Sequence, residues 1–330
     1  MTLSFIVTNE TNPFDNLALE AFFLEQSRPD EIVLMLWQNY NTVVIGRNQN
    51  AWRECRVRLL ENDGGFLARR RSGGGAVYHD MGNLNFSFIA CDSDYDQAKQ
   101  LEVILSAMHG LGISAEASGR NDIIFDGRKF SGNAYIRTKG RNCHHGTILV
   151  DTNKAKMERY LSVAEEKMHS KGVTSMRTRT VNLHDLSPDI TIDSVRLALL
   201  ESFSAVYNSQ LREIDIAELP YQKLDALRSE FFSWDWRYGV DIPFTQKMAK
   251  RFAWGEIELQ LQVNNGHIEA AAVFSDALVL SPFEILPTVL KGLLFKAEAI
   301  QKALSHSLQA DIHTQQIITD ICNLIYDEMS

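Results

Sequence analysis

Apolar residues at helical spacing open the chain. In "NPFDNLALEAFFLEQ", Phe14, Leu17, Ala18, Ala21 and Phe22 recur three and four residues apart, with Asn12 as N-cap and Pro13 at the first helical position, which predicts a helix. Two continuous β-rich runs follow, "EIVLMLW" and "NTVVIG", and then a helical pattern from Ala51 to Glu61. From Phe66 to Asp151 short strand patterns dominate, broken by one helix in "DQAKQLEVILSAMHGL"; "DSVRLALLESFSAVYN" and "AELPYQKLDALRSEFF" predict later helices. "WDWRYGVDIPFT", Trp234 to Thr245, reads as a connection, because Gly and Pro interrupt it. Beyond it the pattern restarts: "EIELQLQV" and "HIEAAAVFSD" alternate as strands do, "NNG" between them predicts a hairpin, and three helical segments finish the chain. The expectation is two domains, 1–244 carrying the chemistry and a small accessory domain at 245–330, with no internal repeat.

Composition narrows the class. The 330 residues are 45% hydrophobic and 23% charged, which is the balance of a globular protein. The longest apolar runs fall far short of the ~18 residues a membrane-spanning helix needs, and the N-terminus lacks the basic-then-apolar pattern of a secretory signal. The expectation is therefore no membrane association. Four cysteines, Cys55, Cys91, Cys143 and Cys322, form no CxxC pair, which argues against a disulfide framework or a structural zinc site and points to a reducing cytoplasm.

Charge changes the picture further. A net charge of -9 disfavours a nucleic-acid partner, yet six basic residues face three acids between Ala115 and Val150, and Arg69, Arg70 and Arg71 adjoin "SGGG". Six of the 19 glycines lie between Gly64 and Gly82 and seven between Gly110 and Gly146, so the special backbone turns concentrate where the positive charge does. That pattern suits a small anionic ligand better than a polymer.

Four stretches carry candidate chemistry. "RRRSGGGAVYHDMGNLNFSF" puts bare backbone N–H groups beside arginines, either a cradle for phosphate or carboxylate or a glycine-rich turn with solvated arginines. It matches neither the P-loop nor the dinucleotide fingerprint, and strands flank it. In "GRNDIIFDGRKFSGNAYI" Asn121 and Asp122 begin one strand, Asp126-Gly127 makes a hairpin turn and Lys129 begins the next strand. Alternation places Lys129 and Ser131 on one face and Phe130 on the other. Lys129 reads as either an ammonium set against a carboxylate and a phosphate or a surface hairpin lysine. In "NCHHGTILV" His144 and His145 point to opposite sides, which disfavours joint ligation of a metal, and Cys143 reads as structural. "KGVTSMRTRTVNL", Lys171 to Leu183, is polar and basic without a strong period, either a loop able to order over a ligand or a plain connection.

Taken in order and spacing, "RRRSGGGAVYHDMGNLNFSF", "GRNDI", "RKFSGNAY", "HHGT", "KGVTSMRTRTVNL", "SWDWRYG" and "RFAWGEIEL" resemble the lipoate-protein ligase A family over essentially the whole chain. The resemblance implies an α+β, biotin-ligase-like catalytic domain, related to class II aminoacyl-tRNA synthetases, with a small α+β C-terminal accessory domain. It implies ATP-dependent activation of lipoate to lipoyl-AMP with release of pyrophosphate, Mg²⁺ as activating ion and no tightly bound prosthetic group. Transfer would follow to a lysine of apo lipoyl domains, as in 2-oxoacid dehydrogenase E2 subunits and the glycine cleavage H protein. Carried over by motif, Arg70, Gly75, Ala76, Val77 and Tyr78 would hold the nucleotide, and Lys129 would contact both the lipoyl carboxyl oxygen and the phosphate. Asn83, Asp122, Ala134, His145, Gly146 and Thr147 would line the adenylate site, Asp122 would serve as a metal ligand, and Lys171, Gly172, Arg177 and Arg179 would belong to a closing loop. Phe86 and Val44 are candidates for the apolar slot of the acyl tail. The rival within the superfamily, an octanoyl or lipoyl transferase, needs a nucleophilic cysteine, and the Lys171 to Leu183 loop contains none. The glycine signature of biotin ligases is absent, and a non-catalytic lipoate-binding protein would lose Lys129.

Overall fold

A computed structural model describes residues 1–119, 121–162, 179–239, 242–307 and 312–329. Contacts divide the chain into two units. One gathers Met1–Val44, Arg53–Arg69 and Val77–Arg237, and the other Ile45–Trp52, Arg70–Ala76 and Tyr238–Ser330. The second unit thus includes two segments from the N-terminal part of the chain, the glycine stretch among them, outside the span 245–330 expected from sequence.

The first unit is built on an eight-stranded mixed sheet. In chain order its strands are β1 (Thr2–Val7), β2 (Glu31–Trp37), β6 (Asn83–Cys91), β7 (Glu116–Ser118), β8 (Asp122–Phe125), β9 (Arg128–Thr138), β10 (Arg141–Leu149) and β11 (Leu211–Glu213), arranged β11-β1-β2-β6-β10-β9-β8-β7. β1 pairs in parallel with β2 and β11, and the other pairings are antiparallel. A smaller sheet joins β3 (Thr42–Ile45), β4 (Phe66–Arg69) and β5 (Val77–His79) in the order β4-β3-β5.

Helix α1 (Pro13–Gln26) starts as expected, with the Asn12 side chain accepting the Phe14 N–H at 2.9 Å. The helix is buried without a break from Asn16 to Leu24, and that stretch is apolar except for Asn16 and Glu20. The single helix expected over Ala51 to Glu61 is two, α2 (Ala51–Glu54) and α3 (Val57–Asn62), because Cys55 leaves the helix to bridge Leu161. The other helices are α4 (Gln97–Gly110), α5 (Lys154–Tyr160), α6 (Ile192–Tyr207), α7 (Tyr221–Phe232) and α8 (Trp234–Tyr238). The stretch read as a connection therefore begins with the helical turn α8. Arg69 captures its open carbonyls, donating to Trp236 O and Arg237 O at 2.8 Å while the Trp236 indole donates back to Arg69 O.

Two apolar clusters cover the two faces of the large sheet. On one face Phe86, Phe88 and Ile148 pack with residues of α4 and α6; on the other Val33, Met35, Ile89, Ile136 and Cys143 pack with α1 and Phe231 of α7. The alternation along β6 and β10 decides which side chains meet which cluster.

In the second unit β12 (Gln246–Phe252), β13 (Gly255–Asn264) and β14 (His267–Ser275) form an antiparallel sheet. Its core is shared with α9 (Leu286–Leu290), α10 (Ala297–Ser307) and α11 (Ile312–Met329). The expected hairpin turn is present, with Asn265 and Gly266 both at positive φ, 49° and 77°. No described helix is long and apolar enough to cross a membrane.

Candidate functional site

Consider first the α1 face of the large sheet at the β8–β9–β10 end. The Asp126-Gly127 turn has both residues at positive φ, 49° and 70°, as the sequence predicts. The strand after it departs from simple alternation. Asp122 pairs with Gly132 and Ile123 with Ser131, but Ile124 pairs with Lys129, so Phe130 is one residue too many for the ladder. This bulge corrects the expectation that Lys129 and Ser131 share a face. Ser131 and Phe130 are both fully buried, Phe130 in the cluster under α4 and α6, whereas the Lys129 side chain runs over Gly132 on the opposite face.

Lys129 then reaches Asp122, with Nζ 2.6 Å from Oδ1, and Arg179 Nη2 lies 3.4 Å from Oδ2 of the same carboxylate. The Lys129 side chain is 26% exposed and that of Asp122 22%, so the pair is reachable from solvent. Gly132 makes the arrangement possible. A Cβ there would sit 2.6 Å from Lys129 Nζ, and the next strand adds Thr147, whose Oγ1 accepts the Gly132 N–H at 3.3 Å. The chain from Thr180 onward is tied to the same spot: Thr180 bridges Lys129 in parallel and the Val181 N–H donates to Lys129 O at 2.9 Å. Of the expected closing loop, Arg179 falls beside Asp122, while Lys171, Gly172 and Arg177 lie outside the described residues.

Further along this face, His145, Ala134 and Ser87 occupy one row of the ladder and Thr147, Gly132 and Asn85 the next. Asn83 is fully buried at the start of β6 and donates to Asn85 Oδ1 at 2.9 Å. Gly146 belongs to the other face, where a Cβ would strike the Phe86 ring at 2.5 Å. Phe86 itself is core beneath α4 and α6, which removes it as a candidate for an acyl slot on the Lys129 side; Val44 stays in the α1-side cluster.

Beneath the site lies a network that sequence reasoning missed. His145 Nδ1–H donates to Glu20 Oε1 at 2.7 Å, Ser87 donates to the same oxygen at 2.5 Å, and the Trp37 indole donates to Ser87 Oγ at 3.0 Å. Burial alone would push the Glu20 carboxyl up, but the His145 ring, with hydrogen bonds from His145, Ser87 and Cys143, holds it below the usual carboxylate range. Burial, reinforced by the Glu20 carboxylate, pushes the Cys143 thiol well above its ordinary range. The signal was legible in principle: one carboxylate in the uncharged run "LALEAFFL" has to be paired if the helix is buried. His144 turns the other way, as expected, between Gln100 and Asn133, and burial with the neighbouring His145 lowers its pKa to about 3. Asn133 also donates to Asn121 O at 3.1 Å, which pins the strand that carries Asp122.

The glycine stretch, in the second unit, is braced from within. The Arg70 guanidinium is buried and donates to Ser72 Oγ, Gly73 O and Gly75 O at 2.9, 2.6 and 2.9 Å. The Gly74 N–H donates to Ala277 O at 2.8 Å, and a Cβ on Gly73 would lie 2.4 Å from that same oxygen, so backbone meets backbone here without room for a side chain. Gly75 is different: it is exposed, and a Cβ there would meet nothing within 4 Å. Ala76 is half-buried, as is Val77 in the first unit, while the Tyr78 side chain is core, its hydroxyl donating to Asn41 Oδ1 at 2.9 Å.

The described residues do not assemble a protein-held Mg²⁺ site. Mg²⁺ favours several oxygen ligands, but Asp122 already faces two cations. Among the described residues the one cluster of three ligand-type side chains is Glu20, Cys143 and His145, buried and hydrogen-bonded to one another.

Comparison with known proteins converges on one family. Residues 12–204 match the model of the lipoyl protein ligase A/B catalytic domain, and residues 241–325 that of the bacterial lipoate protein ligase C-terminus. LipL1 of P. falciparum, solved in complex with lipoate, is 29% identical over 97% of this chain and 99% of its own, with a TM-score of 0.85. The bi-partite lipoate protein ligase of Thermoplasma acidophilum, studied with its E2 lipoyl domain, is 30% identical over 74% of this chain and 98% of its own, with a TM-score of 0.63. A lipoate-protein ligase A bound with ATP is 27% identical over 72% of this chain and 99% of its own, also with a TM-score of 0.63.

Proposed function

The chain belongs to the lipoyl protein ligase A/B family, and from that premise we propose that it is an ATP-dependent lipoate-protein ligase, joining free lipoate to AMP and then passing the lipoyl group to a lysine of apo lipoyl domains. The observation that carries this reading is the Lys129 ammonium, held 2.6 Å from Asp122 across the bare backbone of Gly132 on a half-exposed sheet face.

The first step brings a carboxylate against an α-phosphate. Two anions must be brought together, so fixed positive charge and aimed N–H groups count for more than a nucleophilic side chain. Lys129 supplies the charge at the reacting carboxyl and α-phosphate, with Asn83, Ala134, His145 and Thr147 lining the adenylate. The backbone from Gly75 to Tyr78 takes the nucleotide, Gly75 being the open glycine, and Arg70 stiffens the turn that presents it. Mg²⁺ carried on the nucleotide would supply charge neutralisation at the leaving pyrophosphate. In the second step a lysine of the E2 or H-protein carrier attacks a mixed anhydride with a good leaving group, so positioning matters most.

The cysteines favour this reading over a thioester-using transferase. A cysteine nucleophile acts as a thiolate, whereas burial pushes Cys55 up to about 12 and Cys143 well above its ordinary range. Cys91, the last residue of β6, donates to Ser27 Oγ at 3.7 Å, and Cys322 belongs to the second unit, its thiol raised by burial.

The test is pyrophosphate release from MgATP and lipoate by the purified protein, followed by the intact mass of an apo lipoyl domain added afterwards. Lipoate-dependent pyrophosphate and a lipoyl mass gain are expected. Acyl transfer from a loaded carrier with no pyrophosphate would establish the transferase instead.

Gly132 gives a second expectation. In Gly132→Ala the new methyl collides with the flexible end of Lys129, so the fold adjusts at a cost of about 1 kcal/mol or less. The ammonium is displaced, and pyrophosphate release falls about 10- to 100-fold. A urea midpoint and a rate measured on the same preparation separate the two effects, and an unchanged rate would show that the position of Lys129 over Gly132 does not matter.

A further inference from the structure

Attack on the acyl-adenylate needs something at the site to receive the incoming amine, and the structure offers one group already doing so for another amine. Asp122 holds the alkylammonium of Lys129 on Oδ1 at 2.6 Å and the guanidinium of Arg179 on Oδ2 at 3.4 Å. Lys129 arrives across Gly132, which leaves no side chain between the carboxylate and the Thr147 row. Among the described residues of this face, His145 gives Nδ1–H to the buried Glu20 and is itself buried. Asp122 remains 22% exposed.

The proposed function moves the Lys129 ammonium onto the acyl-phosphate oxygens. Asp122 Oδ1 then loses an alkylamine partner at the moment when a second alkylamine of the same chemistry, the carrier lysine, has to be seated. We propose that Asp122 is a catalytic residue of the transfer step: it accepts a hydrogen bond from the ε-amine of the carrier lysine and then takes its proton. This inference rests on the reading that an acyl-adenylate forms here.

The step balances without another reactant. The amine reaches the site neutral, having lost one proton to solvent, and its lone pair forms the C–N bond at the acyl carbon. The adduct nitrogen is now cationic and gives its extra proton to Asp122. The bond between the acyl carbon and the bridging oxygen breaks, its electron pair leaving on the phosphate oxygen of AMP, and Asp122 later returns the proton to solvent. Arg179 on the far oxygen keeps the carboxylate oriented throughout, and so is a positioning residue.

The experiment splits the two steps in Asp122→Asn and Asp122→Glu. Transfer is read as mass gain of an apo lipoyl domain from supplied lipoyl-AMP, and activation as pyrophosphate release without carrier. Asn keeps the size and loses the proton acceptor, so transfer is expected to fall about 100-fold, within the range of general-base contributions, and activation by far less. Glu is expected to recover a substantial part of the transfer rate. Hydroxylamine, a small amine that needs no base near neutral pH, provides the third arm and is expected to consume bound lipoyl-AMP equally fast on wild type and Asp122→Asn. Equal losses in both steps, undiminished transfer, or a matching loss with hydroxylamine would each overturn the assignment. Because lipoyl-AMP is supplied, a wild-type protein that releases no pyrophosphate would defeat the ligase reading while the Asp122 test still gives its answer.

Discussion

A Lys129→Ala protein is expected to stay folded and to release pyrophosphate from ATP and lipoate about 1,000-fold more slowly than wild type, the upper end of what one aimed charge contributes. It stays folded because the structural duties of this residue are carried by its backbone. Its carbonyl accepts the Val181 N–H, and its ladder partner is Ile124. The lost ion pair is partly exposed, at 26% and 22% for its two side chains, and such pairs contribute roughly 0–1 kcal/mol. Asp122 also keeps Arg179. The large effect is expected on chemistry, because on the proposed mechanism alanine leaves the meeting of two anions without its fixed cation. A urea titration beside the pyrophosphate assay checks both halves. Wild-type rates from a folded Lys129→Ala protein would remove this lysine from the mechanism.

Glu20→Ala is expected to do the reverse, costing about 3–5 kcal/mol of stability, as removal of one partner from a buried pair does. The Glu20 and His145 side chains are 4% and 7% exposed, and the substitution removes the buried acceptor of the His145 and Ser87 hydrogen bonds. The loss also has a pH signature. The folded-state pKa of Glu20 is depressed, so its contribution is fully present above the ordinary value of 4.5 and disappears as pH falls through the lower folded value. The stability gap between wild type and Glu20→Ala should therefore be wide at pH 7 and should narrow as the pH falls below 4.5. Urea midpoints across that range test it. A gap that stays constant with pH would mean that packing, not the carboxylate, holds α1 in place.

Much of this could be read before any coordinates. The α1 cap, the two positive-φ turns at Asp126-Gly127 and Asn265-Gly266, and the opposed directions of His144 and His145 are local consequences of residue type and period. What escaped sequence reasoning depended on a partner distant in the chain. Cys55 ends a helix because Leu161 is there to pair with it, and Trp234 to Tyr238 coils where Arg69 collects its carbonyls. Glu20 needed His145, 125 residues away, before its place made sense. The bulge at Phe130 misled the alternation rule by a single residue, and that residue decides which face Lys129 occupies.

The Gly74–Ala277 hydrogen bond bears on what could be cut from this chain. Severing the polypeptide after Arg237 would not separate two self-contained modules, because Ile45–Trp52 and Arg70–Ala76 would stay on one fragment while the rest of their unit left on the other. The N-terminal fragment would carry the glycine turn with the Gly74 N–H stripped of its acceptor. Adding the C-terminal fragment in trans would restore the carbonyl, at the cost of an association that the intact chain makes intramolecular. Fragment complementation at this joint would thus depend on concentration and be read out at the glycine turn, and covalent continuity here maintains that turn as much as it carries an appendage.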